Sequence, residues 1–363
     1  MRNIRISLFL ITLVLICIGV VMIYSASSIY AWERLGDANY YLKRQILYLF
    51  IGFTLVFLVM LFDYRQLQRY AKPLFFISLA LLISVLIFGR EVGGAKRWFR
   101  LFGFSFQPSE LMQVSIIVYL ADFIARKKKT MKHFWSGFFP PVLMLGLVCV
   151  LLLSQPDLGS AVSIVAVTFI MLFASGVKIS YLLTCCLSAV PVLYFLIFKV
   201  PYRRMRILTF INPWMDPKGS GFQIIQSQIA LGSGGIFGLG IGQGKQKLFY
   251  LPAAHTDFIF SIIGEEAGLI GAFLVIILFI LFIWQAALIC RKTHDAFGRF
   301  LCLGIISMIA LKACINIGVS TGFMPTKGLP LPFISYGGTS LVFDMISVGI
   351  LLNVSRSNEG AGY

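Results

Sequence analysis

The side chain whose setting best suits acid–base chemistry is Asp257. It lies in LPAAHTDFIFSIIGEE (251–266), where a polar stretch turns into an apolar run and Phe258 and Phe260 stand beside it. Partial desolvation raises a carboxylate pKa and makes it a better base near neutral pH, although the same position also suits a helix N-cap. Glu265 and Glu266 follow on the same expected helix, about 12 Å further along at 1.5 Å per residue. Adjacent carboxylates point in different directions, so at most one shares the Asp257 face and the other should meet a cation or a polar cavity. Glu110 in QPSE and Asp157 in QPDLG each open an apolar run, where the helix dipole alone favours a carboxylate. Lys312 and Asp344 fall inside apolar runs and are expected to pair between neighbouring helices. His255 stands two residues before Asp257 and could orient it, whereas His133 and His294 should be solvated.

Cations gather in three places: Lys96, Arg97 and Arg100 around Trp98; Arg203, Arg204 and Arg206 after Pro201 and Tyr202; and Lys327 in MPTKGLPLPFISYGG. Beside them runs GSGGIFGLGIGQG (232–244), which fits no G-x-G-x-x-G register, and Lys245 precedes Gln246 where a P-loop needs Ser or Thr. The glycines read as close-packed backbone at a membrane surface, a re-entrant segment with amides open to anions, or as a plain flexible loop. Lys and Arg beside such backbone suit a phosphate or pyrophosphate held at the membrane. An enzyme that reacts such a ligand and a carrier that moves it would share these features.

The elements that must position these groups are membrane spans. In 363 residues, 59% are hydrophobic and only 12% charged, about half the charge of a soluble domain. The formal charge of +17 would suit nucleic acid, but the cations alternate with long apolar runs, so no nucleic-acid partner is expected. None of the seven cysteines forms a C-x-x-C pair, which argues against a zinc site or disulfide framework. The first apolar run is long for a signal peptide and reads as a retained span. Spans of about 20 apolar residues are expected near 6–26, 45–62, 73–89, 109–125, 138–153, 159–176, 179–198, 258–289, 300–321 and 334–353. Between the fifth and sixth, SQPDLGS predicts a tight hairpin. The basic run at 126–132 places its loop, and with it both termini, in the cytoplasm. The chain is thus expected to be a single polytopic all-α membrane domain, 1–363, of about ten spans with one large external loop at 199–257. About half of the Lys and Arg then lie outside, against the insertion rule, and an anionic ligand on that side would account for them; anionic lipid head groups are the plainer alternative.

Five blocks carry a resemblance: GGAKRWFRLFGFSFQPSELMQ (93–113), QPDLGS (155–160), PYRRMRILTFINPWMDPKGSGFQIIQSQIALGSGG (201–235), LFYLPAAHTDFIFSIIGEE (248–266) and MPTKGLPLPFISYGGTS (324–340). In order and over nearly the whole chain, they resemble the SEDS family of shape, elongation, division and sporulation proteins, the division branch more than the other two. The resemblance implies a ten-span bacterial inner-membrane glycosyltransferase that polymerises lipid II into glycan strands beside a class B penicillin-binding protein and other divisome or elongasome membrane proteins. It places the essential acid at Asp257, as general base. It carries substrate binding to Lys96, Arg97, Trp98, Glu110, Lys327 and Ser335, and charge adds Arg203 and Arg204 as pyrophosphate ligands. No cofactor is implied, and a divalent cation, magnesium or manganese, is left open as an aid to the leaving group. A lipid II flippase would instead need Glu265, Glu266, Lys312 and Asp344 along a pathway across the bilayer, and a noncatalytic scaffold would need none of these groups.

Overall fold

The computed structural model describes residues 1–92, 94–101, 104–199 and 201–360, with the side chains of 92, 101, 104, 192, 193, 196, 197, 201–203 and 358–360 outside the description. Ten apolar helices match the expected spans: α1 (Arg2–Leu35), α2 (Tyr40–Leu61), α3 (Gln66–Phe88), α4 (Pro108–Lys127), α5 (Phe139–Ser154), α6 (Leu158–Ala174), α7 (Ile179–Phe198), α10 (Ile259–Lys292), α11 (Ala296–Ser320) and α12 (Gly338–Gly360). Among the described residues eight of them are long and apolar enough to cross a membrane, and α6 and α7 supply shorter apolar stretches. The chain is therefore an all-α multi-pass membrane protein in its bulk.

Local chemistry sets the boundaries. Pro108 opens α4, where its missing N–H costs nothing. Asp157 caps α6 by accepting from Ser160 N at 3.1 Å, and so ends the expected α5–α6 hairpin. Asp295 caps α11 through Gly298 N at 2.7 Å. Helices α4 and α12 form the centre, buried along most of their length, while α1, α2, α3 and α5 turn apolar faces outward. Polar contacts tie α3 to α4 at two levels, the 2.6 Å Ser78–Ser115 hydroxyl pair and the 3.2 Å bond from Gln68 Nε2 to Asp122 Oδ1.

The connections hold more structure than the sequence reading anticipated. Three strands form an antiparallel sheet, β1 (Arg90–Val92), β2 (Ala95–Leu101) and β3 (Phe104–Phe106). The expected loop 199–257 contains α8 (Pro201–Ile211) and α9 (Phe222–Ser233). The expected span at 258–289 is not one continuous helix, because Gly268 takes φ 67° and ψ −166° and breaks α10 into a short first part and a long second one. A Cβ at Gly268 would lie 2.3 Å from Gly238 N, so only glycine fits this backbone. The freed groups are bonded by the glycine-rich segment: Leu269 N donates to Gly235 O at 2.9 Å and Leu239 N to Glu265 O at 3.0 Å. This is the form non-helical backbone takes at membrane depth, satisfied within the protein.

Candidate active site

At one end of the bundle a cavity of about 580 Å³ opens between the sheet, the segment before α10 and the α11–α12 connection. It is lined by Thr256 and Asp257 before α10, by Arg90, Glu91, Trp98 and Arg100 of the sheet, by Glu110 and Ser340 at the starts of α4 and α12, and by Gly328, Leu329 and Pro330. A Cβ on Gly328 would stand 3.3 Å from Asp257 Oδ2, so the absence of a side chain there leaves room beside the carboxylate.

The backbone around Asp257 is fixed at successive carbonyls. Asn316 Nδ2 of α11 donates to Asp257 O at 2.9 Å and to Leu329 O at 2.8 Å, joining the two loops. Ser335 Oγ donates to Thr256 O at 2.6 Å and accepts from Leu331 N at 2.9 Å. Tyr336 N donates to His255 O at 3.0 Å. With its main chain held in this way, the Asp257 side chain is left to the cavity. Burial pushes its pKa up to about 6, against the opposing charge of Arg206 and the Thr256 hydroxyl. That value suits a base working near neutral pH. His255 does not orient it as expected. Its ring packs among Tyr30, Tyr41 and Tyr336, with centroids 5.8, 4.5 and 5.9 Å away, and burial lowers its pKa to about 4, so it stays neutral.

The residues expected at the substrate are only partly brought together. Strand alternation divides the KRWFR run, since neighbours on a strand face opposite sides. Trp98 and Arg100 share one face and line the cavity. Arg97 points the other way, where Nε donates to Gln155 O at 2.8 Å and a terminal nitrogen to Pro156 O, so its guanidinium braces the α5–α6 hairpin. Lys96 is exposed and pairs with Glu91 in the strand register. Arg204 is exposed on α8, and the Arg203 side chain lies outside the described residues. Arg206, two residues on, donates to Thr326 O at 3.0 Å and supplies the cationic field at Asp257. Lys327 is half-buried beside Gly328, with its pKa lowered by burial. Ser335 acts on the Thr256 carbonyl.

Glu110 reaches the cavity but is also committed to a buried cluster. Lys312 Nζ lies 2.8 Å from Glu110 Oε2 and 3.0 Å from Asp344 Oδ1. The expected Lys312–Asp344 pair is thus present, with Glu110 as a third member. Of the glycine-rich amides expected to be open to an anion, Gly242 N is held by a carboxylate and Gly238, Leu239, Gly240 and Gln243 N by backbone carbonyls, while the amides just after the segment bond Glu265. Glu265 accepts from Lys245 N at 2.7 Å and Gln246 N at 3.1 Å. Glu266 accepts from Gly242 N at 2.9 Å, Ser25 Oγ at 2.7 Å and Lys247 Nζ at 2.6 Å. Both members of the Glu266–Lys247 pair are buried. Among the described residues no group of three or more His, Cys, Asp or Glu side chains is placed to hold a metal ion.

Of the charged residues lining the cavity, Arg90 and Glu91 escaped the sequence reading and Arg100 was noted only as part of a cluster; Asn316, which holds the main chain at Asp257 from outside the lining, escaped it too. Period-two alternation through AKRWFR would have joined Arg100 to Trp98 and separated Arg97. For Asn316 the signal was a lone amide in an apolar span, where an unpaired polar group is costly and so points to a specific partner.

The cell cycle protein family, FtsW/RodA/SpoVE, matches residues 5–360. The chain is 48% identical over 350 residues to a probable peptidoglycan glycosyltransferase FtsW of Geobacter sp. (strain M18), covering 96% of this chain and 95% of the relative. It is 43% identical to the stage V sporulation protein E of Bacillus subtilis (strain 168), over 96% of both. Among solved structures, a chain from a peptidoglycan synthase complex described for its coordination of polymerization and crosslinking superposes with TM-score 0.81 at 31% identity over 97% of both chains. The rod shape determining protein RodA of Thermus thermophilus superposes with TM-score 0.71 at 28% identity, over 97% of this chain and 96% of that one.

Proposed function

The chain belongs to the FtsW/RodA/SpoVE family of cell cycle proteins, and from that membership we propose that it is a peptidoglycan glycosyltransferase that polymerises lipid II into β-1,4 glycan strands during septal wall synthesis. Relatives named FtsW at 46% to 48% identity support the division branch, with the sporulation protein at 43% between these and further FtsW relatives at 39%. The observation that carries the reading is Asp257, a carboxylate with its pKa raised to about 6 on the wall of a 580 Å³ cavity.

Asp257 takes the proton from the 4-hydroxyl of the acceptor GlcNAc as that oxygen attacks the anomeric carbon of the donor MurNAc. The bond from that carbon to phosphate breaks, and undecaprenyl pyrophosphate leaves with the electron pair. An α-linked donor gives a β-linked product by one inversion, so a single carboxylate suffices. Pyrophosphate needs no proton to depart if cations meet its charge. Arg90 and Arg100 on the cavity wall, with Lys327 beside it, are placed for that work in preference to Arg97. Trp98 offers a flat apolar face to the sugar. The partner is a class B penicillin-binding protein that cross-links the strands, and lipid II is drawn from the outer leaflet of the bacterial cytoplasmic membrane, with both termini cytoplasmic and 199–257 external. The ties of Glu265, Glu266, Lys312 and Asp344 to protein partners favour the polymerase over the flippase alternative.

The test is polymerisation of lipid II by purified protein with its transpeptidase in detergent. Asp257→Ala should abolish product while leaving the protein folded and partner binding intact. Polymerisation retained by that variant overturns the assignment.

A further inference from the structure

At the end of the bundle opposite the cavity, the start of α3 and the end of α4 enclose a second pocket of about 440 Å³ lined by Arg65, Gln68, Arg69, Lys72, Asp122 and Arg126. Positions 65, 68, 69 and 72 recur at helical spacing, so three cations converge on one face. The one carboxylate is already neutralised: Asp122 is buried and accepts from Arg126 Nε at 2.9 Å and Gln68 Nε2 at 3.2 Å. Arg65, Arg69 and Lys72 remain exposed around it. They stand at the N-terminal end of α3, where the helix dipole adds to their field. Tyr70 on the same stretch and Trp135 in the neighbouring α4–α5 connection are 62% and 75% exposed, as aromatic side chains are at the membrane–water boundary. The pocket lies at the start of α3 and the end of α4, where these spans meet the membrane–water boundary. Orientation in the bilayer requires only a number of cations in a loop, and it does not explain their convergence on a cavity.

We propose that this pocket binds the phosphodiester head group of an anionic phospholipid from the leaflet on that side. Arg65, Arg69 and Lys72 meet the phosphate oxygens, and Arg126, held by Asp122, fixes the inner wall. Nothing in this site takes part in sugar transfer, so it stands or falls apart from the catalytic reading.

The experiment is native mass spectrometry of the detergent-solubilised full chain titrated with phosphatidylglycerol, with phosphatidylcholine and inorganic phosphate as separate probes. Arg65→Gln/Arg69→Gln/Lys72→Gln should lower bound phosphatidylglycerol about a hundredfold, at roughly fivefold for each of the three cations removed. The control Lys127→Gln/Lys128→Gln/Lys129→Gln removes equal charge outside the pocket and should retain binding. Arg69→Gln alone repeats the test with a smaller loss, should the triple variant fail to fold. Equal losses in pocket and control variants, no loss in the pocket variants, or equal occupancy by phosphatidylcholine or inorganic phosphate would each overturn the proposal.

Discussion

Asp257 and the pair Glu265–Glu266 are neighbours in sequence, carry the same chemistry and have opposite fates. The glutamates are tied up: the amides of Gly242, Lys245 and Gln246, with Ser25 and Lys247, occupy their oxygens. Asp257 is held by its main chain, through Asn316 on its own carbonyl and Ser335 on the preceding one, and its side chain faces a void. A buried carboxylate whose acceptor sites are filled shapes the backbone around it. One whose backbone is fixed while its oxygens face a cavity is available to a substrate.

The widest separation of the two should come from isosteric amides. Asp257→Asn should reduce turnover of lipid II by about 10²- to 10⁴-fold, the range for losing a general base, with partner binding unchanged. Glu266→Gln should instead leave Lys247 buried without its counter-charge and destabilise the fold by about 3–5 kcal/mol, read as a drop in melting temperature with activity lost in parallel. If Glu266→Gln melts normally and fails only in catalysis, the division between the two regions collapses.

The same contrast extends to pH. The base acts when ionised, so kcat/KM should fall as pH drops through about 6. Stability carries the opposite sign. The folded pKa lies above the unfolded value of 3.8, so the fold disfavours the charged form; this penalty is absent below 3.8 and complete above about 6. Asp257→Asn should therefore raise the melting temperature at pH 8 and leave it unchanged at pH 3.5. A variant that is inactive and no more stable at pH 8 would show the carboxylate to be solvated.

A smaller effect separates the two faces of β2. Arg100→Gln should raise KM for lipid II by about tenfold with little change in melting, as for a lost charged hydrogen bond. Arg97→Gln should leave KM unchanged and lower stability by about 1–3 kcal/mol, since its carbonyl partners at 155 and 156 lose a charged donor. Exchanged outcomes would reverse the face assignment.

Much of the fold was legible because a bilayer demands long apolar helices and a hydrophobic run of the right length can satisfy it in few other ways. All ten expected spans find helices, and the SQPDLGS hairpin forms where Asp157 caps α6. The connections were less legible. Strands β1–β3 are short, and AKRWFR was read as a cluster of charges when its alternation separates Arg97 from Arg100. The break at Gly268 was hidden inside an apolar run, because it depends on a segment some thirty residues earlier to bond the freed amides.

Sequence by itself determined the number of spans, the place of Asp257 at the boundary of one of them, and the excess of cations that an anionic ligand would meet. Those properties follow from composition and local order along the chain. Only the tertiary structure decided which charges face the cavity and which are consumed: Glu110 shared with Lys312 and Asp344, Arg97 bracing a hairpin, Glu265 and Glu266 bonded to glycine-rich backbone. The physical reason is that burial makes an unpaired charge costly, so each one takes whatever partner packing brings near, and those partners are remote in sequence.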